Sequence, residues 1–292
     1  MINKSSVNAE QDAITVVIPT LGGESLQETI MQLNKGAMIP EEILVCIPKE
    51  ESFNKDILSW TNVKTIKTEC RGQVSQRIVG FEKAKTRYVM QLDDDVIVDQ
   101  HCLEYLLETI KSNGHKVAVA PSLIDLSTKK SVYKKPNRNQ LIESIYYWLM
   151  NGSSGYQPGK IDKSGTPIGV DAQNNSSKPS ESEWLAGGCV MHYRTNLVLE
   201  NYFPFKGKAF SEDVIHSLKL KNKGIKLLIE PKAVCFLEID PVTTYSFLEL
   251  LLNMKSDLKV RKYYMEMTSS KSIRMYLYYA ACIISYSIKK II

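Results

Sequence analysis

Three clusters of polar residues in this 292-residue chain have the types and spacing that chemistry requires. The strongest is Leu92-Asp93-Asp94-Asp95, at the end of the apolar run from Tyr88. Residues two apart on a strand share a face, so Asp93 and Asp95 are expected to point the same way. Like carboxylates held that close push each other toward the neutral form unless a cation or hydrogen-bond donors compensate. A hard divalent cation, Mg2+ or Mn2+, is the natural compensator, because it takes oxygen ligands and is commonly completed by substrate phosphates. The plainer alternative is an Asp-rich turn that solvates the end of a strand.

The second cluster is Ser211-Glu212-Asp213, at the start of a run with helical spacing through Ile215, Leu218 and Leu220. A carboxylate at a rigid helix start can act as a general base toward a hydroxyl. Ser at an N-cap followed by acids is also what capping and the helix dipole favour without any catalysis. The third cluster, Arg71-Gly72-Gln73 with Arg77, carries forked donors suited to diphosphate oxygens, or else an arginine pair solvated on a helix face. A fourth segment, Trp184-Leu185-Ala186-Gly187-Gly188, allows close backbone approach at its glycines and offers either an apolar plate for a sugar ring or a core tryptophan.

The elements that must hold these residues alternate. Ile14–Ile18, Ile43–Ile47, Val63–Ile66 and Tyr88–Leu92 read as strands, and Val117–Ala120 and Lys226–Ile229 as strands ending at Pro121 and Pro231. Apolar residues at helical spacing lie between them, around Leu26–Leu33, Val74–Ala84 and Leu103–Ile110. Repeated βα units predict a mostly parallel sheet with helices on both faces. In open sheets of this kind ligands bind beyond the carboxyl ends of the strands, where the aspartates fall. Residues 127–183 are rich in Lys, Asn, Ser, Gly and Pro, with one helix-sized apolar patch, Leu141–Met150, and read as a long functional loop.

Composition narrows the classes. With 43% hydrophobic and 24% charged residues the chain is neither disordered nor a multi-span membrane protein, and a net charge of +5 is too small for a dedicated nucleic-acid binder. The six cysteines have no Cys-x-x-Cys spacing and read as buried small hydrophobes in a reducing cytosol. Residues 1–13 lack an apolar leader, so a cytoplasmic location is expected. The charge is unevenly placed. Asn253–Ile292 holds eight basic and two acidic residues, net +6, around an uncharged stretch, Met275–Ile288, with four tyrosines. That stretch is short of the ~20 residues that span a bilayer. It suits either an interfacial helix on the inner membrane face or a helix packed on the body of the protein.

Taken in order, Val17-Ile18-Pro19-Thr20, the Gly-Arg region, Leu92–Asp95, Trp184–Gly188 and Ser211-Glu212-Asp213 with Gly224 eleven residues on resemble the family 2 glycosyltransferases, inverting enzymes of the GT-A fold. The resemblance covers residues 14–240. It implies an α/β catalytic domain over 1–240, with a nucleotide-sugar half to about residue 125, an acceptor half beyond it, and a helical region over 241–292. By resemblance Asp93 faces the nucleotide ribose, Asp95 holds the metal on the diphosphate, and Asp94, Arg71, Arg77, Pro19 and Thr20 lie on the donor side. Asp213 matches the catalytic base and Glu212 its partner, while Trp184, Leu185, Gly187 and Gly188 match the segment beside the acceptor. The implied partners are a nucleotide diphosphate sugar and a saccharide or lipid-linked saccharide acceptor, in cell-surface polysaccharide or glycan synthesis.

Three positions depart from the family pattern. The second strand ends Cys46-Ile47-Pro48, without the acid that often meets the nucleobase. Leu237, followed by Glu238, stands where many members carry a metal-facing His, and Lys219 stands where an Arg is frequent. Two other classes compete with this reading. A nucleotidyltransferase needs a basic Gly-rich loop after the first strand, and Leu21-Gly22-Gly23-Glu24-Ser25 has no Lys or Arg. A degenerate sugar-nucleotide-binding, membrane-associated scaffold would keep the fold without turnover.

Overall fold

A computed structural model describes residues 12–53, 56, 59–135, 140–171, 178–205, 209–239 and 246–291. Ile14–Pro19 (β1), Glu42–Pro48 (β2), Val63–Thr68 (β3) and Tyr88–Leu92 (β4) pair in parallel in the order β3-β2-β1-β4. Alternation along β1 divides the core. Val16 and Ile18 pack with Leu26, Ile30 and Leu33 of Ser25–Lys35 (α1), whereas Val17 faces Phe81 of Gln73–Lys83 (α2). Gly80 lets α2 lie close to the sheet, because a Cβ there would sit 2.3 Å from Val17 Cγ1. Cys102–Ser112 (α3) adds Leu103, Leu106, Leu107 and Ile110 to the α1 side. The helices therefore cover both faces, and the apolar strands between them are almost wholly buried.

The second half of the sheet is mixed. Ile97–Val98 (β5), Val117–Asp125 (β6), Ser180–Glu181 (β7), Cys189–Tyr193 (β8) and Lys226–Leu237 (β9) complete, among the described residues, nine strands in the order β3-β2-β1-β4-β8-β6-β9-β5, with β7 on β9. β8 runs antiparallel between β4 and β6, while β6 and β9 are parallel. The expected strand ends at Pro121 and Pro231 are overturned, since β6 and β9 run on to Asp125 and Leu237. The register slips between Pro121, opposite Glu230, and Ser122, opposite Val234. Proline lacks an N–H, and a slip in the ladder is one of the few interior places that tolerates it.

The β4–β8 register positions the site. Leu92 pairs with Cys189, so the next residue beyond each strand, Asp93 and Gly188, meet, and the Asp93 N–H donates to the Gly188 carbonyl at 2.9 Å.

The apolar patch in the long loop is a helix, Gln140–Asn151 (α4), and Glu212–Asn222 (α5) precedes β9. Phe247–Met267 (α6) opens with a capping box between Ser246 and Glu249, and Ile273–Ile291 (α7) follows it. Of the two readings of the tail, packing on the body is seen directly. Val260 of α6 joins the core with Leu185 and Ile215, Met265 packs with Met275 and Tyr279, and Arg274 Nη1 donates to the Trp148 and Leu149 carbonyls at 2.7 Å. Among the described residues no helix is long and apolar enough to cross a membrane. Cys46, Cys102, Cys189 and Cys235 are free and buried as expected, Cys282 is half-buried and Cys70 exposed.

Candidate active site

Asp93, Asp94 and Asp95 form a turn just past β4, so the alternation of a strand does not govern them. The expectation that Asp93 and Asp95 share a strand face is therefore replaced by three separate environments. Asp93 Oδ1 accepts from Gln73 Nε2 at 2.7 Å and from Arg77 Nη2 at 3.3 Å. Asp94 Oδ2 accepts a short bond from Thr20 Oγ1, which itself accepts from the Gly22 N–H. Asp95 is exposed. Burial raises Asp93 to about 6 against the pull of Arg77, with Glu212 adding to the rise, and burial also raises Asp94.

Arg77 is 1% exposed and Glu212 4%. The Arg77 Nη1 donates to Glu212 Oε1 at 2.8 Å, so one guanidinium bridges the acid after β4 and the acid at the start of α5. Burial opposes its charge, but Glu212 and Asp93 hold it firmly protonated. Arg77 is thus an internal strut between the two acid clusters rather than a surface contact for a donor. Arg71, by contrast, is exposed and pairs with Glu51 at 2.6 Å.

The other Glu212 oxygen accepts from Tyr202 Oη at 2.6 Å, and the Tyr202 ring stacks on His216 at 5.3 Å. Asp213 follows Glu212 and is half-buried, with N–H donors from Gly187 and Val214. Burial, with the neighbouring Glu212 charge, raises Asp213 to about 7. Glycine at 187 leaves room for the Glu212 carboxylate, since a Cβ would lie 2.7 Å from Glu212 Oε1 and press on the oxygen that Arg77 holds. Its carbonyl accepts from Gln91 Nε2, and the Leu185 N–H donates to Ser217 Oγ, so the 184–188 segment is tied to β4 and to α5.

Trp184 is 5% exposed, its Nε1 donates to the Ile168 carbonyl, and Tyr133 meets its ring edge-on at 5.5 Å. The expected plate for a sugar is a core tryptophan, because the loop folds back over it. Ser211 is not the side-chain cap that the capping alternative requires: it has φ +53° and its hydroxyl donates to Asp257 on α6.

Three contributors, Gln76, Tyr202 and Asp257, escape a reading of the sequence. Gln73 and Gln76 lie three residues apart on the face of α2 that carries Arg77, and Gln76 Nε2 joins the Thr20 and Cys46 carbonyls at the ends of β1 and β2. That helical spacing was a usable signal. Tyr202 and Asp257 reach the site from distant, irregularly spaced positions and left none.

The metal expectation is testable on the donor set. Among the described residues no group of three or more His, Cys, Asp or Glu side chains could hold an ion. Asp95, exposed, and Asp93, with both its bonds on Oδ1, fit the other arrangement, one or two carboxylates completed by substrate phosphates.

The model of glycosyl transferase family 2 matches residues 15–164, just over half of the chain. The chain belongs to that family. The match spans Thr20, Arg71, Arg77 and Asp93–Asp95 of this family 2 protein and stops before Gly187 and Asp213. No curated protein matches it in sequence. Among solved structures it is similar to GalNAc-T7 with UDP, GalNAc and Mn2+, at 20% identity and a TM-score of 0.56 over 80% of this chain and 45% of that one. It also matches S. aureus TarS 1-349, at 15% identity and a TM-score of 0.48 over 77% of this chain and 60% of that one. The chain spans roughly half the length of these two structures. The likeness to GalNAc-T7 shows a shared GT-A fold.

Proposed function

We propose that this family 2 protein transfers a glycosyl group from a nucleotide diphosphate donor to an acceptor hydroxyl with inversion. The observation that carries the reading is the Asp93–Arg77–Glu212 bridge, which sets a half-buried carboxylate raised to about 7, Asp213, beside the acids at the end of β4. A base poised near the working pH is what proton removal from a hydroxyl requires. As the acceptor oxygen bonds to the anomeric carbon, the bond from that carbon to the diphosphate oxygen breaks, and the acceptor proton passes to Asp213. Attack opposite the leaving group inverts the centre.

Thr20, Asp94 and the donor-facing oxygen of Asp93 orient the nucleotide, Arg71 borders it, and Gly187 and Gly188 let the acceptor approach. A Mg2+ or Mn2+ ion held by Asp95 and Asp93 would supply several kcal/mol of charge stabilisation to the departing diphosphate. GalNAc-T7 was crystallised with UDP and Mn2+, which favours a uridine donor as the first to test.

The acceptor is a saccharide, lipid-linked at a membrane surface, and residues 1–240 form the catalytic unit. Of the seventeen large hydrophobic residues exposed among the described ones, twelve lie on α4, α6 and α7. Leu141, Ile145 and Trp148 share one face of α4, and Ile273, Leu277 and Ile284 share one of α7, each left outward by the packing on the body. On α6 the exposed stripe runs Leu248, Leu252, Lys255, Lys259, Lys262, apolar to basic, a pattern suited to an anionic bilayer surface.

The test is Asp213→Asn. Transfer from UDP-sugars should fall ~10²–10⁴-fold while UDP binding by titration calorimetry stays unchanged. Turnover close to that of the unmodified protein would remove Asp213 from the base role.

A further inference from the structure

Ser211 precedes the Glu212–Asp213 pair and holds φ +53° and ψ +23°, a left-handed conformation that is costly for any residue with a Cβ. Nothing local explains it: its side chain caps no helical N–H. The hydroxyl instead donates to Asp257 Oδ1 at 2.7 Å, across forty-six residues. Asp257 Oδ2 accepts from Tyr279 Oη of α7 at 2.7 Å and from Arg261 Nη2 of α6 at 2.9 Å. Arg261 is buried, lies over the Tyr278 ring at 4.5 Å, and reaches Thr166 Oγ1 in the long loop at 2.5 Å. One carboxylate thus gathers the catalytic helix start and both C-terminal helices, and through Arg261 the acceptor-side loop. Burial works against its charge, yet Arg261 and the two hydroxyl donors keep it below the usual range.

We propose that Asp257 is a positioning residue for the base: it pins Ser211 in the left-handed conformation that opens α5, and so fixes Asp213 from the C-terminal hairpin. The backbone turn at Ser211 decides where the first turn of α5 points, and Asp213 lies in that turn. On this account the C-terminal helices hold in place the base that residues 1–240 carry, whatever else their outer faces meet. The proposal rests on the glycosyl-transfer reading, because its effect on rate is read through turnover.

The experiment compares two substitutions at one position. Ser211→Ala removes the hydroxyl but keeps the Cβ that disfavours the conformation, whereas Ser211→Gly removes the hydroxyl and the steric cost together. With UDP-sugars and Mn2+ as probes, Ser211→Ala should lower kcat about 10- to 100-fold with little change in donor KM. Ser211→Gly should recover most of that loss. Asp257→Ala should lower kcat in the unmodified protein and several-fold less in the Ser211→Gly background, since the glycine no longer needs the pin. Equal losses in the alanine and glycine variants, or an Asp257→Ala effect of the same size in both backgrounds, would overturn the proposal. If Asp257→Ala loses its cooperative thermal transition, the Ser211 pair decides alone.

Amide hydrogen exchange at Ile215 and His216, in the first turn of α5, gives a readout independent of turnover. Exchange there should be faster in Ser211→Ala, because the helix start opens more often. Unchanged exchange would refute the pin even in an active enzyme. Absence of turnover on every donor, with faster exchange, would instead count against the glycosyl-transfer reading and leave the pin standing.

Discussion

Two carboxylates, Asp93 at one end of the buried Arg77 bridge and Asp213 next to Glu212 at the other, have different electrostatic surroundings. Both are raised by burial, Asp93 to about 6 and Asp213 to about 7. Asp93 has a guanidinium and an amide donating to one oxygen. Among the described residues Asp213 accepts from backbone N–H groups, and the Glu212 charge beside it pushes it further up. The difference matters chemically. A carboxylate held by a cation serves as a fixed anion that binds, whereas one without a counter-charge is a base poised to take a proton. On the proposed reading, environment rather than residue type separates donor binding from proton transfer.

The harshest way to break that contrast is to remove the strut. Arg77→Met leaves buried Glu212 and half-buried Asp93 without their shared cation, which should cost about 3–5 kcal/mol of stability. Thermal unfolding checks this, and Arg77→Lys should fall in between, since it keeps the charge but cannot fork to both acids. A melting temperature unchanged by Arg77→Met would mean that the two clusters do not share the guanidinium in solution.

The next effect is on rate. If Asp213 is the base, its ionised form works, and its raised value places the acid limb of kcat near pH 7. Turnover should rise with pH up to about 7, level above it, and fall roughly tenfold per unit below. A limb near 4, the range of an ordinary aspartate, would show that the site holds Asp213 no differently from a solvated side chain.

How much of this was readable in the sequence follows the range of the interactions. The parallel half of the sheet was legible, because β1 and β2 are short runs rich in β-branched residues and β4 a short apolar one, with helical spacing between them. The ends of β6 and β9 were not, since a proline stops a strand unless a partner's register slips beside it, and pairing is not written locally. Asp93–Asp95 and Glu212–Asp213 were found as clusters, but their environments were missed. The turn after Leu92 sends each aspartate to a different partner, and Trp184 is buried because the loop around Ile168 closes over it. The surplus of +6 in the last forty residues suits a membrane surface or a packing helix alike, and the hairpin does pack, with Arg261, one of those charges, buried against Asp257.

The smallest expected effect sharpens the comparison most. Tyr202→Phe removes one donor from Glu212 and leaves Arg77 on its other oxygen, and the ring can still stack on His216. The loss of one hydrogen bond to a charged group should cost about 1.5–3 kcal/mol of stability. Arg77 stays on the other Glu212 oxygen, so the surroundings that raise Asp213 persist and the acid limb of kcat should stay where it is. A limb displaced by a full unit would mean that the Tyr202 hydroxyl, acting through Glu212, helps to set how far Asp213 is raised rather than only steadying the bridge.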